Sequence, residues 1–516
     1  MIRVTETYKP GNLELGRAPN LGKGKYDIQE SLVEYIYSFF RSRGPILLFL
    51  TGIAYSYPAM GQKAVSPDIP SIDTAVYDFL DYAKNHIGQA AALAPFFQKL
   101  TLLEAGKTHR ISIVHIGDSH IQADLWSGRL RSLLQERFGN AGRGLVFPFT
   151  LARSNCPLDL NFTSNTPWVA RKSVFRREGP PLGISGISIQ SEGRAPTVEI
   201  KLQDRYHYGQ DYRFDRVTVF HTADETLQPW LPEARAPSAY VTAGNGRHQV
   251  ESGDTLYDLA RRYGCSVADL QRWNGLTDSR IDIGRRLIVS SSAVPPPAPV
   301  ELPPGVEKEP LSAQCTRYRL PEPLSRLTLA RPGEKTTGAT LFGLILEKSN
   351  QPGILYHSIG VNGVTYYHFN RAEYFSAQLP VLRPDLIIVS LGTNEALATS
   401  TEESKFRGEV QKLLATLRKV SPEAALLLTT NPDVLRRKRY DNPANLMVRK
   451  VILEVAAEAQ LGYWDLHSLM GGRGAVKNWR EAGLAHTDFI HFTKEGYWLQ
   501  ARLLYQALMK AYDGNY

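Results

Sequence analysis

The chain has 516 residues, of which 43% are hydrophobic and 22% charged. That is ordinary globular usage, so wholesale disorder, a collagen-like repeat and a polytopic membrane protein are excluded. The formal net charge of +9 would attract anionic polymers without specifying one, and no Lys/Arg stripe interleaves with aromatics, so no nucleic-acid partner is expected.

At about 150 residues per domain the length allows roughly three domains. Residues 1–43 read as an N-terminal extension. In the next segment, 44–61, Arg43 precedes the apolar run Pro45 to Ala54 and then small residues up to Gly61. Basic, apolar, then small is the order of a signal peptide, or of a short anchor. The run is too short for the roughly 20 residues of a spanning helix, so no stable membrane span is expected, and export to the periplasm or cell envelope is. The three cysteines, Cys156, Cys265 and Cys315, lack zinc-site spacing. They allow at most one bridge, with Cys156–Cys315 the first pair to test.

From residue 73 apolar spacing suggests helical packing up to Gly106. Ile111 to Ile116 then reads as a buried strand, Gly117-Asp118-Ser119 as a tight turn, and Trp126, Leu130 and Leu133 as one face of a helix. The same alternation returns only after residue 350. Strand-like runs at 354–359, 386–391, 424–430 and 462–466 are interleaved with helical patterns near 401–420, 443–460 and 494–512. Five strands alternating with helices imply a parallel sheet covered on both faces, split into 73–162 and 351–516.

Between them, Val198, Ile200 and Leu202, Val217 and Val219, and Leu327 and Leu329 alternate with polar residues. This is half-buried antiparallel patterning, read as a β-sandwich insertion over 163–246 and 311–350. A second insertion, 247–291, has strand-like ends around two short helices. Gly264 and Gly275 close the helices, and Ser266 opens the second with Asp269 at capping-box spacing, giving a βααβ unit. Residues 292–310 follow as a proline-rich linker.

Ser119 sits where a strand hands over to a helix, which presents its hydroxyl at the carboxyl edge of the sheet. Serine needs a base. Asp488 and His491, three residues apart before the last helix, can supply a carboxylate that orients an imidazole and the imidazole that takes the serine proton. Gly392-Thr393-Asn394-Glu395 ends the third strand, and Gly360-Val361-Asn362-Gly363 follows the second. The Asn394 amide, a glycine N–H and the Ser119 N–H could meet an oxyanion. Taken singly, Asn394 also fits a helix cap and the glycine segment a positive-φ turn.

These blocks, Gly117-Asp118-Ser119-His120, the glycine block, Gly392 to Glu395 and Asp488-x-x-His491, resemble those of an SGNH (GDSL-like) hydrolase in their order. His120 and Glu395 stand where Leu and Asp are usual, and with the glycine block they resemble the branch of peptidoglycan O-acetylesterases and O-acetyltransferases. That branch also places a β-sandwich between the first and second blocks. The resemblance implies an α/β, flavodoxin-like domain with a five-stranded parallel sheet. It implies Ser119 as nucleophile, His491 as base, Asp488 as its partner, and Ser119, Gly363 and Asn394 as oxyanion donors, with Gly360 as the alternative glycine. No cofactor or metal is expected. Separately, His248 to Tyr257, Trp273-Asn274-Gly275 and Ile283 to Val289 resemble a LysM module. LysM modules bind N-acetylglucosamine polymers, with Gly253, Asp254, Thr255, Leu256 and Ile283 as the groove candidates here.

Together the two resemblances imply a serine esterase removing O-acetyl groups from peptidoglycan, with peptidoglycan or another N-acetylglucosamine-containing glycan as partner. The alternatives are an acetyltransferase, an esterase of another envelope polysaccharide, a phosphoesterase with Asp118, His120, Asp124 and His491 as metal ligands, and a non-catalytic wall-binding protein.

Overall fold

The computed structural model describes residues 77–514 apart from 176–177, 193–195, 204–208, 224–226, 231–246, 252–253, 264, 290–301 and 332–337. The extension, the leader segment 44–61, Gly253, Gly264 and most of the linker lie outside the described residues. Among the described residues, no helix is long and apolar enough to cross a membrane.

Five strands, β1 (Arg110–Gly117), β2 (Gly353–Gly360), β3 (Leu386–Ser390), β4 (Ala425–Thr429) and β5 (Gly462–Trp464), form one parallel sheet in the order β2-β1-β3-β4-β5. Every residue of β3 and β4 is buried, as in a sheet covered on both sides. Because successive side chains point to opposite faces, the strands feed two cores. Ile111, Ile113, Ile388 and Leu427 pack with Leu130 and Leu133 of α2 (Leu125–Phe138) and with Leu503 and Leu504 of the last helix, Lys494–Asp513. Val114, Ile116, Val389 and Leu428 pack with Val410 and Leu413 of the helix Glu403–Val420 and with Val451 and Ile452 of the helix Pro443–Glu458. The short α1 (Ser119–Gln122) links β1 to α2.

The order changes direction between β1 and β3, the switch point at which open α/β sheets bind ligands beyond the carboxyl ends of their strands. In register, Gly117 of β1 lies level with Gly360 of β2 and Ser390 of β3. The residues that follow these three strands therefore emerge at one edge.

Two antiparallel sheets fill the interval. One runs through strands 307–312, 315–324, 214–221, 340–347, 187–191 and 168–172, and the other through 160–164, 197–202, 326–330 and 228–230. Their inward residues, among them Val198, Ile200, Leu329, Val219 and Leu344, join one core that is continuous with a face of the parallel sheet. The antiparallel pairing begins before the expected boundary at 163. Strand Gly142–Val146 pairs with 340–347, and Leu160–Ser164 pairs with 197–202. A Cβ at Gly144 (φ +81°) would lie 1.9 Å from the Tyr356 carbonyl oxygen. The strand crosses β2 so closely that it needs the residue least typical of strands.

The helical packing expected from 73 onward is two 3₁₀ turns, Tyr82–Lys84 and Ala90–Leu93, before an α-helix, Ala94–Glu104, with Pro95 in its first turn. Arg247–Gln249, Leu256–Tyr263, Val267–Asn274 and Arg286–Ile288 make the βααβ unit, which has its own small core of Val250, Leu256, Leu259, Leu270, Leu287 and Val289. Ser266 and Asp269 form the capping box. All three cysteines are free. Cys156 directs its thiol to the Leu160 carbonyl at 3.8 Å, and Cys315 is buried on another strand of the insertion.

Candidate active site

Ser119 is the first residue of α1, where an N–H has no intrahelical acceptor. The turn is tight because glycines make room for it. A Cβ at Gly117 would lie 2.3 Å from Ile121 Cγ1, and one at Gly360 would lie 2.2 Å from the Gln122 nitrogen. Asp118 caps the turn through the His120 N–H at 3.0 Å.

His491 and Asp488 precede the last helix. Ser119 Oγ lies 3.0 Å from His491 Nε2, and His491 Nδ1 lies 2.7 Å from Asp488 Oδ2. The other Asp488 oxygen accepts the backbone N–H groups of Ile490 and His491, each at 2.9 Å, across a turn in which Phe489 has φ +56°. Burial opposes the Asp488 charge, but the His491 ring and these two N–H groups outweigh it and hold the carboxyl below its ordinary pKa. The carboxylate is thus charged at neutral pH and able to fix the tautomer with hydrogen on Nδ1. The side chains of His491 and Asp488 are 40% and 33% exposed, so the pair is open to an outside ester.

The oxyanion candidates lie along the same edge. Asn394 donates one amide hydrogen to the Val364 carbonyl at 2.9 Å, leaving the second for another acceptor. Gly363 has φ +79°, and among the described residues its N–H has no hydrogen-bond partner. Gly360 is buried at the end of β2, against α1. The glycine loop is tied to α1 by Gln122, whose Oε1 accepts the Asn362 N–H at 2.7 Å. Glu395 holds the loop from the other side, accepting the Tyr366 N–H at 2.8 Å. Burial, with a contribution from the Asp118 charge, pushes Glu395 up to about 8 despite its backbone hydrogen bonds, so it is protonated at neutral pH.

Sequence reasoning missed the supports beneath the edge. Asp124, which follows α1, is buried and accepts Arg131 at 2.8 Å and Arg143 at 2.5 Å on one oxygen, and Ser127 and Ser358 on the other. Arg143 continues to Asp159 at 2.5 Å. The network thereby ties α2 and β2 to the first strands of the insertion. The Asp124–Arg131 spacing on one helix was a visible signal, but the other partners come from distant segments. His120 is buried, with Nδ1 2.8 Å from the Tyr497 hydroxyl and its ring centroid 5.5 Å from that of His491. Burial, against the field of Asp118, lowers its pKa. Asp124 is thus committed to arginines and His120 to a tyrosine. Among the described residues, no three His, Cys, Asp or Glu gather as a metal site.

In the βααβ unit, Thr255 caps the first helix through the Asp258 N–H at 3.1 Å. Asp254 accepts from the Glu251 N–H at 2.8 Å, and its carboxylate lies 2.6 Å from His248 Nε2. Leu256 is 2% exposed, part of the module's core and not of a groove, because the helix turns its apolar face inward. Ile283 is 71% exposed and available to a ligand.

Comparison with known proteins places these parts. The model of the GDSL-like lipase/acylhydrolase family matches residues 330–499, and that of the LysM domain matches 248–290. The first match leaves out Ser119, which the insertion separates from the remaining blocks. A solved structure of a peptidoglycan O-acetylesterase shares the fold over 81% of this chain and 96% of its own, with a TM-score of 0.56 and 20% identity. The probable endopeptidase p60 of Listeria monocytogenes is 31% identical over 100 residues, 19% of this chain and 20% of that protein. An autolysin of Enterococcus faecalis is 47% identical over 49 residues, 10% of this chain and 7% of that protein. The chain thus spans a fifth or less of the length of these two relatives. It carries a domain matched by the GDSL-like lipase/acylhydrolase family model and a LysM domain.

Proposed function

We propose that the protein removes O-acetyl groups from peptidoglycan through an acetyl-enzyme on Ser119. The observation that carries this reading is the hydrogen-bonded chain Ser119–His491–Asp488 at the switch-point edge of the sheet, in a molecule that also bears a glycan-binding type of module. Ser119 Oγ attacks the acetyl carbonyl while its proton passes to His491 Nε2, and Asp488 stabilises the imidazolium. The oxyanion faces the N–H groups of Ser119 and Gly363 and the free hydrogen of Asn394. Collapse expels the sugar oxygen, which takes the proton from His491. Water, deprotonated by His491, then attacks the acetyl-serine, and acetate leaves.

The LysM module binds N-acetylglucosamine-containing strands, with Ile283 exposed for contact. Tethering raises the local concentration of an insoluble substrate without altering the chemistry. The short matched stretches shared with an endopeptidase and an autolysin and the shared fold of a peptidoglycan O-acetylesterase support the same substrate, and with it export to the cell envelope or periplasm.

The test incubates the purified protein with O-acetylated peptidoglycan and quantifies free acetate, with Ser119→Ala as control and unacetylated glycan oligomers added as competing acceptors. Acetate should appear with wild type alone, without acetylation of the oligomers. Acetyl transfer to the oligomers in place of acetate would make the protein a transferase, and equal acetate from Ser119→Ala would end the proposal.

A further inference from the structure

Beyond the carboxyl end of β4 the chain turns back on itself at Arg436-Arg437-Lys438-Arg439. This turn stands beside the Asp488–His491 pair. The Leu435 N–H donates to the Phe489 carbonyl at 3.1 Å, between the two site residues, and Leu435 and Phe489 belong to one core. Arg436 and Tyr440 close the turn, the N–H of each donating to the carbonyl of the other at 2.7 and 3.0 Å. At its tip Arg437 and Lys438 have φ +51° and +61°, and the Arg439 N–H donates to the Arg436 carbonyl at 3.2 Å. Both central residues are thus left-handed, a turn that asparagine and glycine fill with least strain.

Two long cations stand there instead, and nothing within the fold accounts for them. Arg436, Arg437, Lys438 and Arg439 are all exposed. Arg439 lies over the Tyr440 ring, 5.8 Å from its centre. The carboxylate that follows, Asp441, pairs with Arg473 at 3.2 Å and Lys477 at 3.1 Å, which adds positive charge at the base of the turn. Among the described residues, Arg436, Arg437 and Lys438 pair neither with Asp441 nor with any other carboxylate. Like charges gathered on a strained turn repel one another, so the arrangement costs the folded chain stability without an internal gain. Strain and charge of this kind mark a binding role. Two free guanidinium groups and an ammonium fit a partner bearing several carboxylates, which arginine can grip two oxygens at a time.

We propose that this turn is the docking surface for the carboxylates of a peptidoglycan stem peptide. Arg436, Arg437 and Lys438 hold the peptide while an acetylated sugar of the same strand lies over Ser119. The proposal rests on the peptidoglycan reading above and extends it, since it assigns the peptide part of the substrate to a named surface beside the base.

The experiment compares wild type with the double variant Arg437→Asn, Lys438→Gly on 4-nitrophenyl acetate and on soluble O-acetylated peptidoglycan fragments, with and without stem peptides. The two substitutions supply the residues such a turn favours, so the variant loses charge without losing the turn. Turnover of the small ester should be unchanged, which also certifies the fold. On fragments with stem peptides, KM should rise about tenfold at unaltered kcat. Raising salt from about 50 to about 200 mM should raise the wild-type KM towards that of the variant and barely move the variant's own. On fragments without stem peptides the two proteins should coincide. A variant equal to wild type on stem-peptide fragments that wild type deacetylates would overturn the docking surface alone. A loss that persists without stem peptides would do the same, by showing that another part of the strand meets the turn, as would an equal loss on the small ester, by showing a structural role. Wild type that cleaves 4-nitrophenyl acetate but frees no acetate from any fragment would overturn both the substrate and its docking surface.

Discussion

The edge of the parallel sheet and the LysM module solve opposite assembly problems. At the edge, Ser119, Gly363, Asn394 and His491 come from four separate segments, and their meeting depends on strand register and on supports reaching into the insertion. The LysM module is one contiguous stretch, 248–290, closed by two short strands around its own core. Damage to the first should propagate through the long-range scaffold, whereas damage to the second should stay local. On the proposed function, chemistry and grip are therefore separable, and that separation can be tested by substitution.

The largest effect is expected at the edge itself. Asp488→Asn should keep the fold but favour the wrong imidazole tautomer, lowering kcat by about 10³–10⁴-fold. KM for a small ester should stay level. A loss under tenfold would mean that the Asp488–His491 contact is not part of the chemistry.

Next comes the support. Asp124→Asn leaves Arg131 buried without its counter-charge and Arg143 with Asp159 alone, and should cost about 3–5 kcal/mol in urea unfolding. Burial opposes the Asp124 charge, but the two arginines overcome it and depress the carboxyl. A group with a depressed folded pKa stabilises fully above its unfolded value, about 3.9, and that contribution fades as pH falls below it. The gap between variant and wild type should therefore be full at pH 7 and narrow in acid, and a gap that widened in acid would reverse the assignment.

Asn394→Ala removes one proposed oxyanion donor and should lower kcat by about 10²–10³-fold. The smallest expected effect sharpens the contrast most. Deleting 248–290 should leave 4-nitrophenyl acetate turnover unchanged and slow acetate release from insoluble peptidoglycan by about 10–100-fold. An equal loss on the small ester would show that the module props up the catalytic edge.

Much of this was legible in the sequence because it rests on local pattern. Buried runs such as Leu386 to Ser390 match a strand closed in on both faces, and Ser266 with Asp269 fixes a helix start without outside help. The site residues were legible as types at strand ends, where Ser119 and Asn394 stand. The early start of the insertion was not, because Gly142 and Gly144 disguise a strand whose conformation follows from its crossing over β2. Nor was Leu256 distinguishable from a groove residue, since one helix supplies both the inner and outer faces of so small a unit. The Asp124 cluster depends on partners far apart along the chain, which spacing alone does not pair.

The most direct test of the account replaces Ser119 by Ala and follows 4-nitrophenyl acetate turnover alongside the mass of the quenched protein. The account predicts a rate at least about 10⁴-fold lower and an acetyl adduct on the Ser119 peptide of wild type alone. A variant that kept turning over at a rate near that of wild type would place the nucleophile elsewhere.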